Sequence, residues 1–329
     1  MIAVVKAGLL TTVQDGGRPG HRASGMPVAG AMDRLSLAAA NLLAGNAPGT
    51  AALELTLVGG TFRFEAPALA ALAGADMRAA LDGRAVAPWS SFRAPAGGVL
   101  ALGMAASGVR AYLAVHGGIE VPPVLGSRST YARAGVGGFH GRALRAGDRL
   151  PAGAPAGPPP ELASLAPGER PEMHPPGVEV ELRMLLGPQD DLVHPEGMEA
   201  LLSTRWTVTP LNDRMGYRLG GPPVRLRGGA DIVTDALVPG AVQVSNDGRP
   251  IVIMVDGQTT GGYLKPGVVI GPDLRRLAQA RTGDGVRFRR CTMQEALEAV
   301  ADERARWGRL ARRLGREAGG RGGETWPWT

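Results

Sequence analysis

Apolar residues recur along the chain in short runs rather than long ones. In the first half they occupy 2–5, 53–57, 61–64, 98–103 and 109–115; in the second, 178–186, 206–209, 241–244, 250–255 and 284–289. Gly, Asn and Asp punctuate these runs at close spacing, the pattern of β-strands joined by turns. Asn246-Asp247-Gly248 lies between two of them and signals a hairpin, because Asp-Gly tolerates positive φ. The even spacing predicts barrels or sandwiches rather than a parallel βαβ sheet.

Helical periodicity is confined to a few segments. At 33–44, Asp33 is placed to N-cap, Leu35, Ala38, Ala39, Leu42 and Leu43 form a stripe, and Gly45 closes it. Segments 190–202 and 273–280 are weaker, and 292–317 is the clearest, opening on the capping box Thr292-Met293-Gln294-Glu295. Residues 151–177 hold nine of the 27 prolines, which excludes a helix or inner strand there. The chain therefore divides into 1–150, a Pro-rich connector at 151–177, a second β-rich part at 178–290, and a basic helical tail at 291–329 with a disordered end. Val115-His116-Gly117 recurs as Val255-Asp256-Gly257, and Arg145-Ala146-Gly147-Asp148 as Arg281-Thr282-Gly283-Asp284. A duplicated barrel with the connector at its middle accounts for both.

Composition narrows the function. At 329 residues, 44% hydrophobic and 20% charged, the chain can bury a sizeable core. With aromatics at 4% it lacks the stacking surfaces of a single-strand nucleic-acid binder. Of 36 cationic residues only Lys6 and Lys265 are lysines, and neither follows a glycine, so no G-x-x-x-x-G-K-[ST] phosphate loop exists. The net charge is +6, but residues 302–329 alone carry seven Arg against four acids, so no nucleic-acid partner is expected. The single Cys291 excludes a disulfide framework and a multi-Cys zinc site; its neighbours Arg289 and Arg290 could lower its pKa, but at a strand–helix junction a structural cysteine is the favoured reading. The N-terminus reads as a strand, and no apolar run reaches 18 residues; a soluble cytoplasmic protein without membrane association is expected.

Four polar segments are candidates for chemistry. Thr11–His21 runs from a strand into Asp15-Gly16-Gly17-Arg18, either a solvated turn or a binding loop. Ser24–Asp33 leads into the first helix, where Asp33 fits a cap as well as a ligand contact. Val255–Lys265 puts Asp256, Gln258, Thr259 and Thr260 in a Gly-rich loop ending in one of the two lysines. There Gln258 and the threonines can hold an amide or carboxylate, with Lys265 as the charged contact. Asn212–Arg218 offers Asp213 and Arg214 as an ion pair or as a solvated strand. The five histidines lack metal-binding spacing; His116, at the end of an apolar strand, is the one best placed for function. No G-x-S-x-G elbow is present.

Taken together, GLLTTVQDGGRPGHRASGMPVAGAMDRLSLAAANLLAGN, ALELTLVGG, VRAYLAVHGGI, LGSRST, GPQDD, TPLNDRMGYRLGG and PIVIMVDGQTTGGY resemble the allophanate hydrolase subunit 2 family, also called the biotin-dependent carboxyltransferase or KipA-like family. The likeness covers about residues 2–290 and leaves out 291–329. It implies a mainly β fold of two tandem cyclophilin-like β-barrel domains with a few short helices and a C-terminal helix. It implies one component of an ATP-dependent 5-oxoprolinase that opens 5-oxo-L-proline to L-glutamate, inactive alone. Its partners would be a KipI-like protein (PxpB) and a LamB/YcsF-like protein (PxpA), with ATP bound by the complex. The resemblance equally covers carboxyltransferase components of urea-type carboxylases, and KipA-like regulators that bind a KipI-like protein. Neither Lys6 nor Lys265 has a Met neighbour, so no covalent biotin is expected on this chain. One departure from the family pattern is Leu264-Lys265-Pro266, where a Pro-Lys or Pro-Arg pair follows Gly-Gly-Tyr. On this reading Asp15, Asp256 and Lys265 are the catalytic candidates, the carboxylates serving as acid/base groups or orienters. Gln14, Arg18, Asp33, His116, Arg214, Gln258, Thr259 and Thr260 are the substrate-binding candidates, with Arg18 or Lys265 on the substrate carboxylate.

Overall fold

The computed structural model of the chain describes residues 1–315, so the expectation for the tail end at 316–329 lies outside the described residues. Two compact units emerge: Met1–Arg18, Ala29–Pro175 and the chain from Arg306 make the first, and Pro19–Val28 with Pro176–Ala305 make the second. Residues 151–175, read from sequence as a connector, thus group with the first unit, and a ten-residue N-terminal loop groups with the second.

The first unit contains two antiparallel sheets. One has the order Arg149–Leu150, Ile2–Lys6, Thr61–Phe64, Val99–Ala101, Ala80–Leu81, Arg84–Ala85; the other runs Leu10–Gln14, Ala52–Thr56, Ser107–Val115, Ala68–Asp76, Ser90–Ala94. Val4, Val13, Leu53, Leu55, Phe62, Leu100 and Leu113 belong to one core cluster contributed by both sheets. Helix α1 (Arg34–Ala44) packs with Tyr112, Ala114, Trp89 and Trp307 in a second cluster. Ser107–Val115 shows why it reads as a continuous apolar run. Ala111, Leu113 and Val115 join the first cluster, and Tyr112 and Ala114 the second, so neither face of the strand meets water. The helix starts where its sequence says it should: Asp33 Oδ1 accepts from the Ser36 N–H at 3.1 Å.

The second unit closes into a seven-stranded barrel: Glu179–Leu186, Gly267–Val269, Ala241–Val244, Pro250–Ile253, Gly216–Gly220, Trp206–Asn212 and Gly285–Arg290, which returns to pair in parallel with the first. Glu179–Leu186, read from sequence as an apolar run, alternates at its start, with Val180, Leu182 and Met184 buried, as are Trp206, Tyr217, Val242, Val252 and Phe288. The Asn246–Gly248 turn joins Ala241–Val244 to Pro250–Ile253 as predicted. A separate two-stranded ribbon pairs Asp231–Ala236 with Thr260–Tyr263. Helices α2 (Pro195–Ser203), α3 (Gly271–Ala278) and α4 (Met293–Arg313) complete the described α-helices. None of the described helices is long and apolar enough to cross a membrane.

Cys291 is the structural cysteine that the sequence favoured. It is buried beside Ile270, Ala296 and Ala299, and that burial pushes its thiol up, with Glu295 adding to the effect and Arg289 and Arg183 opposing it. Alkylation of the folded protein by iodoacetamide at neutral pH is therefore expected to run at least about tenfold slower than that of free cysteine. A rate equal to the free thiol's would contradict this burial.

Candidate functional site

In the first unit, the segment after Leu10–Gln14 is fastened to the loop Ser127–Thr130. Asp15 is the fastener. Its carboxylate accepts from the Gly17 N–H at 2.8 Å, the Ser127 hydroxyl at 2.7 Å, the Arg128 N–H and the Ser129 hydroxyl. With four donors in place, the Asp15 lone pairs are committed to holding the loop. Arg18, almost fully buried, donates to the carbonyls of Val124 and Ser129. Gly137, at φ +68°, makes room for it, since a side chain there would meet the Ser129 carbonyl oxygen at 2.2 Å and Arg18 Nη2 at 2.7 Å. Gln14 Nε2 donates to Thr12 Oγ1 at 3.0 Å and to the Thr130 carbonyl at 3.1 Å, while its buried Oε1 has no hydrogen-bond partner among the described residues.

Asp33 is likewise consumed locally. Its carboxylate caps α1 and accepts from the Ser36 hydroxyl at 2.7 Å, and its N–H donates to the Tyr112 hydroxyl at 2.8 Å. Tyr112 in turn donates to Glu54 Oε2 at 2.7 Å, and Met32 N–H donates to the same oxygen at 2.9 Å. Burial, with the charges of Glu54 and Asp33, raises the Tyr112 phenol well above its usual range, so it stays a donor. Sequence reasoning missed Glu54, whose strand position read simply as part of an apolar run. It also missed Arg34, whose guanidinium burial lowers from its ordinary value while the charge of Asp15 raises it. His116 stands apart from these residues. Nδ1 lies 2.9 Å from the Ala44 carbonyl and Nε2 2.9 Å from that of Gly157. It lines a cleft of about 370 Å³ with Gly45 and Pro158–Pro160.

The second unit gathers the other candidates. Arg214 grips Asp256 in a bidentate pair, Nε to Oδ2 at 2.9 Å and Nη2 to Oδ1 at 3.0 Å, with side chains only 9% and 7% exposed. The Asp256 N–H also donates to the Arg214 carbonyl at 2.9 Å, so the pair fixes the turn that begins the Gly-rich loop. Beyond that turn the character changes. Gln258 and Thr260 are exposed and Thr259 is half-buried. Gly261 lets the chain approach Gln243, since a side chain there would meet Gln243 Nε2 at 2.8 Å and Leu237 Cδ1 at 2.7 Å. Lys265 ends the loop with its side chain 5% exposed and Nζ 2.8 Å from Asp235 Oδ2. Hydrogen bonding from Lys265, then from the Ala236 N–H, holds the Asp235 carboxyl below its usual range, so it is an anion at neutral pH. The backbone N–H of Lys265 donates to Gln189 Oε1 at 3.1 Å. Gln189 lies in the GPQDD segment, but Asp235 carries no sequence signal of its own. Asp235 lies on an exposed strand thirty residues from its partner.

The candidates thus fall into two chemical states. Asp15, Asp33, Arg214 and Asp256 spend their polar atoms on the fold. Gln258, Thr259 and Thr260 make no side-chain hydrogen bond among the described residues, and the strand Thr260–Tyr263 links them to a buried ammonium. Amide, hydroxyl and ammonium groups on one short segment can address a ligand that presents both an amide and a carboxylate.

The carboxyltransferase domain family, subdomains A and B, matches residues 24–290. The chain is 40% identical over 324 residues, 96% of its own length and all of the other, to the C subunit of the 5-oxoprolinase of Escherichia coli strain K12. It is 34% identical over 311 residues to the urea amidolyase of Lachancea kluyveri, spanning 87% of this chain and 16% of that one. The solved structure of the K. lactis urea amidolyase superposes with a TM-score of 0.87 at 29% identity, over 93% of this chain and 20% of that one.

Proposed function

Given that the chain belongs to the carboxyltransferase family of subdomains A and B, we propose that it is the C subunit of an ATP-dependent 5-oxoprolinase, opening 5-oxo-L-proline to L-glutamate with KipI-like and LamB/YcsF-like partners. The observation that carries this reading is the 40% identity to a 5-oxoprolinase C subunit across that protein's whole length. The loop chemistry supports it. 5-Oxo-L-proline presents a carboxylate and a lactam. Lys265 Nζ is the cation for the carboxylate. The Gln258 side-chain amide matches the lactam edge, its Oε1 accepting from the ring N–H and its Nε2 donating to the ring C=O. Thr259 and Thr260 supply hydroxyl donors beside it. Asp256, clamped by Arg214, acts by setting the turn from which these residues project. Asp15 and Asp33 act as orienters, since their oxygens are engaged.

ATP does not fit this chain's own lysines as a phosphate ligand. Lys6 lies on the strand Ile2–Lys6, and Lys265 faces Asp235 with no phosphate-cradling loop around it. No step of nucleotide chemistry is therefore assigned to these residues. The test is reconstitution with both partners, ATP and 5-oxo-L-proline. ATP-dependent glutamate formation is expected, and its absence from the complete mixture overturns the reading.

A second reading has its own support in the likeness to urea amidolyase: a carboxyltransferase component acting on urea or a similar amide. The biotin would reside on another chain, since Lys6 and Lys265 lack Met neighbours. Carboxyl transfer from a carboxylated carrier to urea, with no glutamate from 5-oxo-L-proline, would favour it.

A further inference from the structure

An ammonium as enclosed as that of Lys265 is costly to keep charged without a nearby anion. Among the described residues Asp235 is the one anion it touches, through Oδ2 at 2.8 Å. The neighbouring groups are engaged elsewhere. Asp231, on the same strand, faces Asn246 Nδ2; Arg22 donates to the Leu237 carbonyl; and Gln189 takes the Lys265 backbone N–H. The pair is also lopsided: the Lys265 side chain is 5% exposed and that of Asp235 is 51% exposed. Solvent reaches the ammonium's surroundings from the carboxylate side. Asp235 further sits on a strand paired along one edge only, with a register slip between Asp231 and Asp235. Val233, Thr234, Asp235 and Ala236 are all exposed there.

We propose that Asp235 is a resident carboxylate that reserves an anion site at Lys265 Nζ, keeping the ammonium aimed until a small monocarboxylate from solvent takes its place. The exchange swaps one ion pair for another, and no covalent bond forms or breaks. The inference rests on the reading of Lys265 given above and adds to it a positioning residue and a ligand class. The engaged partner is the side chain that faces water, so the entering carboxylate meets Asp235 first and competes with it directly.

Having only two lysines makes the site directly observable. With lysine labelled at Cε, the Lys265 and Lys6 resonances can be followed as formate is added, and exposed Lys6 on the first strand serves as internal reference. In Asp235→Ala, formate is expected to move the Lys265 signal saturably, with half-saturation at least about tenfold lower than in the unsubstituted protein, the scale of a hydrogen bond to a charged group. Asp235→Asn should show the same gain, and Asp235→Glu, which keeps a resident carboxylate, should not. A merely structural role for Asp235 would not move an anion titration. Equal half-saturation in the unsubstituted protein, Asp235→Ala and Asp235→Asn, or no saturable response in any of them, overturns the proposal. A second titration uses 5-oxo-L-proline. If formate titrates Lys265 in this pattern and 5-oxo-L-proline does not, the anion site stands and the 5-oxoprolinase reading falls.

Discussion

Replacing Arg214 by alanine is expected to cost the protein about 3–5 kcal/mol of stability, the range for breaking one side of a buried ion pair. The reason is geometric. Arg214 meets both Asp256 oxygens, at 2.9 and 3.0 Å, where water scarcely reaches either side chain. The substitution removes two charge-assisted bonds and leaves a carboxylate in a poorly solvated pocket. Urea denaturation of both proteins checks the magnitude. Substituting both partners, as in Arg214→Met with Asp256→Leu, should recover part of the loss, because no charge is then left buried. An Arg214→Ala midpoint equal to that of the unsubstituted protein would mean the pair does not hold the turn.

Lys265→Met is expected to do the opposite. A hydrogen bond to a charged group contributes about 1.5–3 kcal/mol, so kcat/KM of the reconstituted complex for 5-oxo-L-proline should fall about 10- to 100-fold. Stability should change by about 1 kcal/mol or less. Methionine fills similar volume, the buried charge disappears, and Asp235, half exposed, remains solvated. Steady-state kinetics and a urea titration on the same preparation separate the two effects. A stability loss as large as that of Arg214→Ala, with unchanged kcat/KM, would make Lys265 a fold residue. The contrast between these variants is the experimental form of a structural distinction: Arg214 is clamped on a buried Asp256, and Lys265 faces a partner that water can reach.

Much of the fold was legible in the residues. Val180, Leu182 and Met184 alternate with charged neighbours because one face of their strand lines the barrel, and a period of two is a local property. Asp33 at the start of α1 and the Asn246–Gly248 turn are also local, and both were readable. The site was legible at a coarser level. The sequence placed Asp15, Asp256, Gln258 and Thr259 in turns after strands, where they are, while Gln14 and Thr260 lie within strands. It did not separate Asp15 and Asp256, whose oxygens are occupied, from Gln258 and Thr260, whose polar ends are not. That distinction depends on Ser127, Ser129 and Arg214, and such pairings arise only when distant segments meet. Asp235 was invisible for the same reason. The closing of one set of strands as a barrel and the splitting of the other into two sheets were equally beyond reach, since both depend on which strand edges find each other rather than on the pattern within any strand.

Pro19–Val28 counts with the second unit although segments of the first unit flank it on both sides in sequence. Arg22 waits for the carbonyl of Leu237, 215 positions later in the chain. The first unit likewise needs Trp307, Leu310 and Ala311 for its second core cluster, after the whole barrel has been made. Neither unit is a contiguous stretch that a ribosome could deliver and release to fold before the other begins. Closure over such sequence distances is slow, and the early segments must stay available without pairing wrongly. A split of the gene at residue 175 would therefore give two fragments, each missing a piece that the other carries.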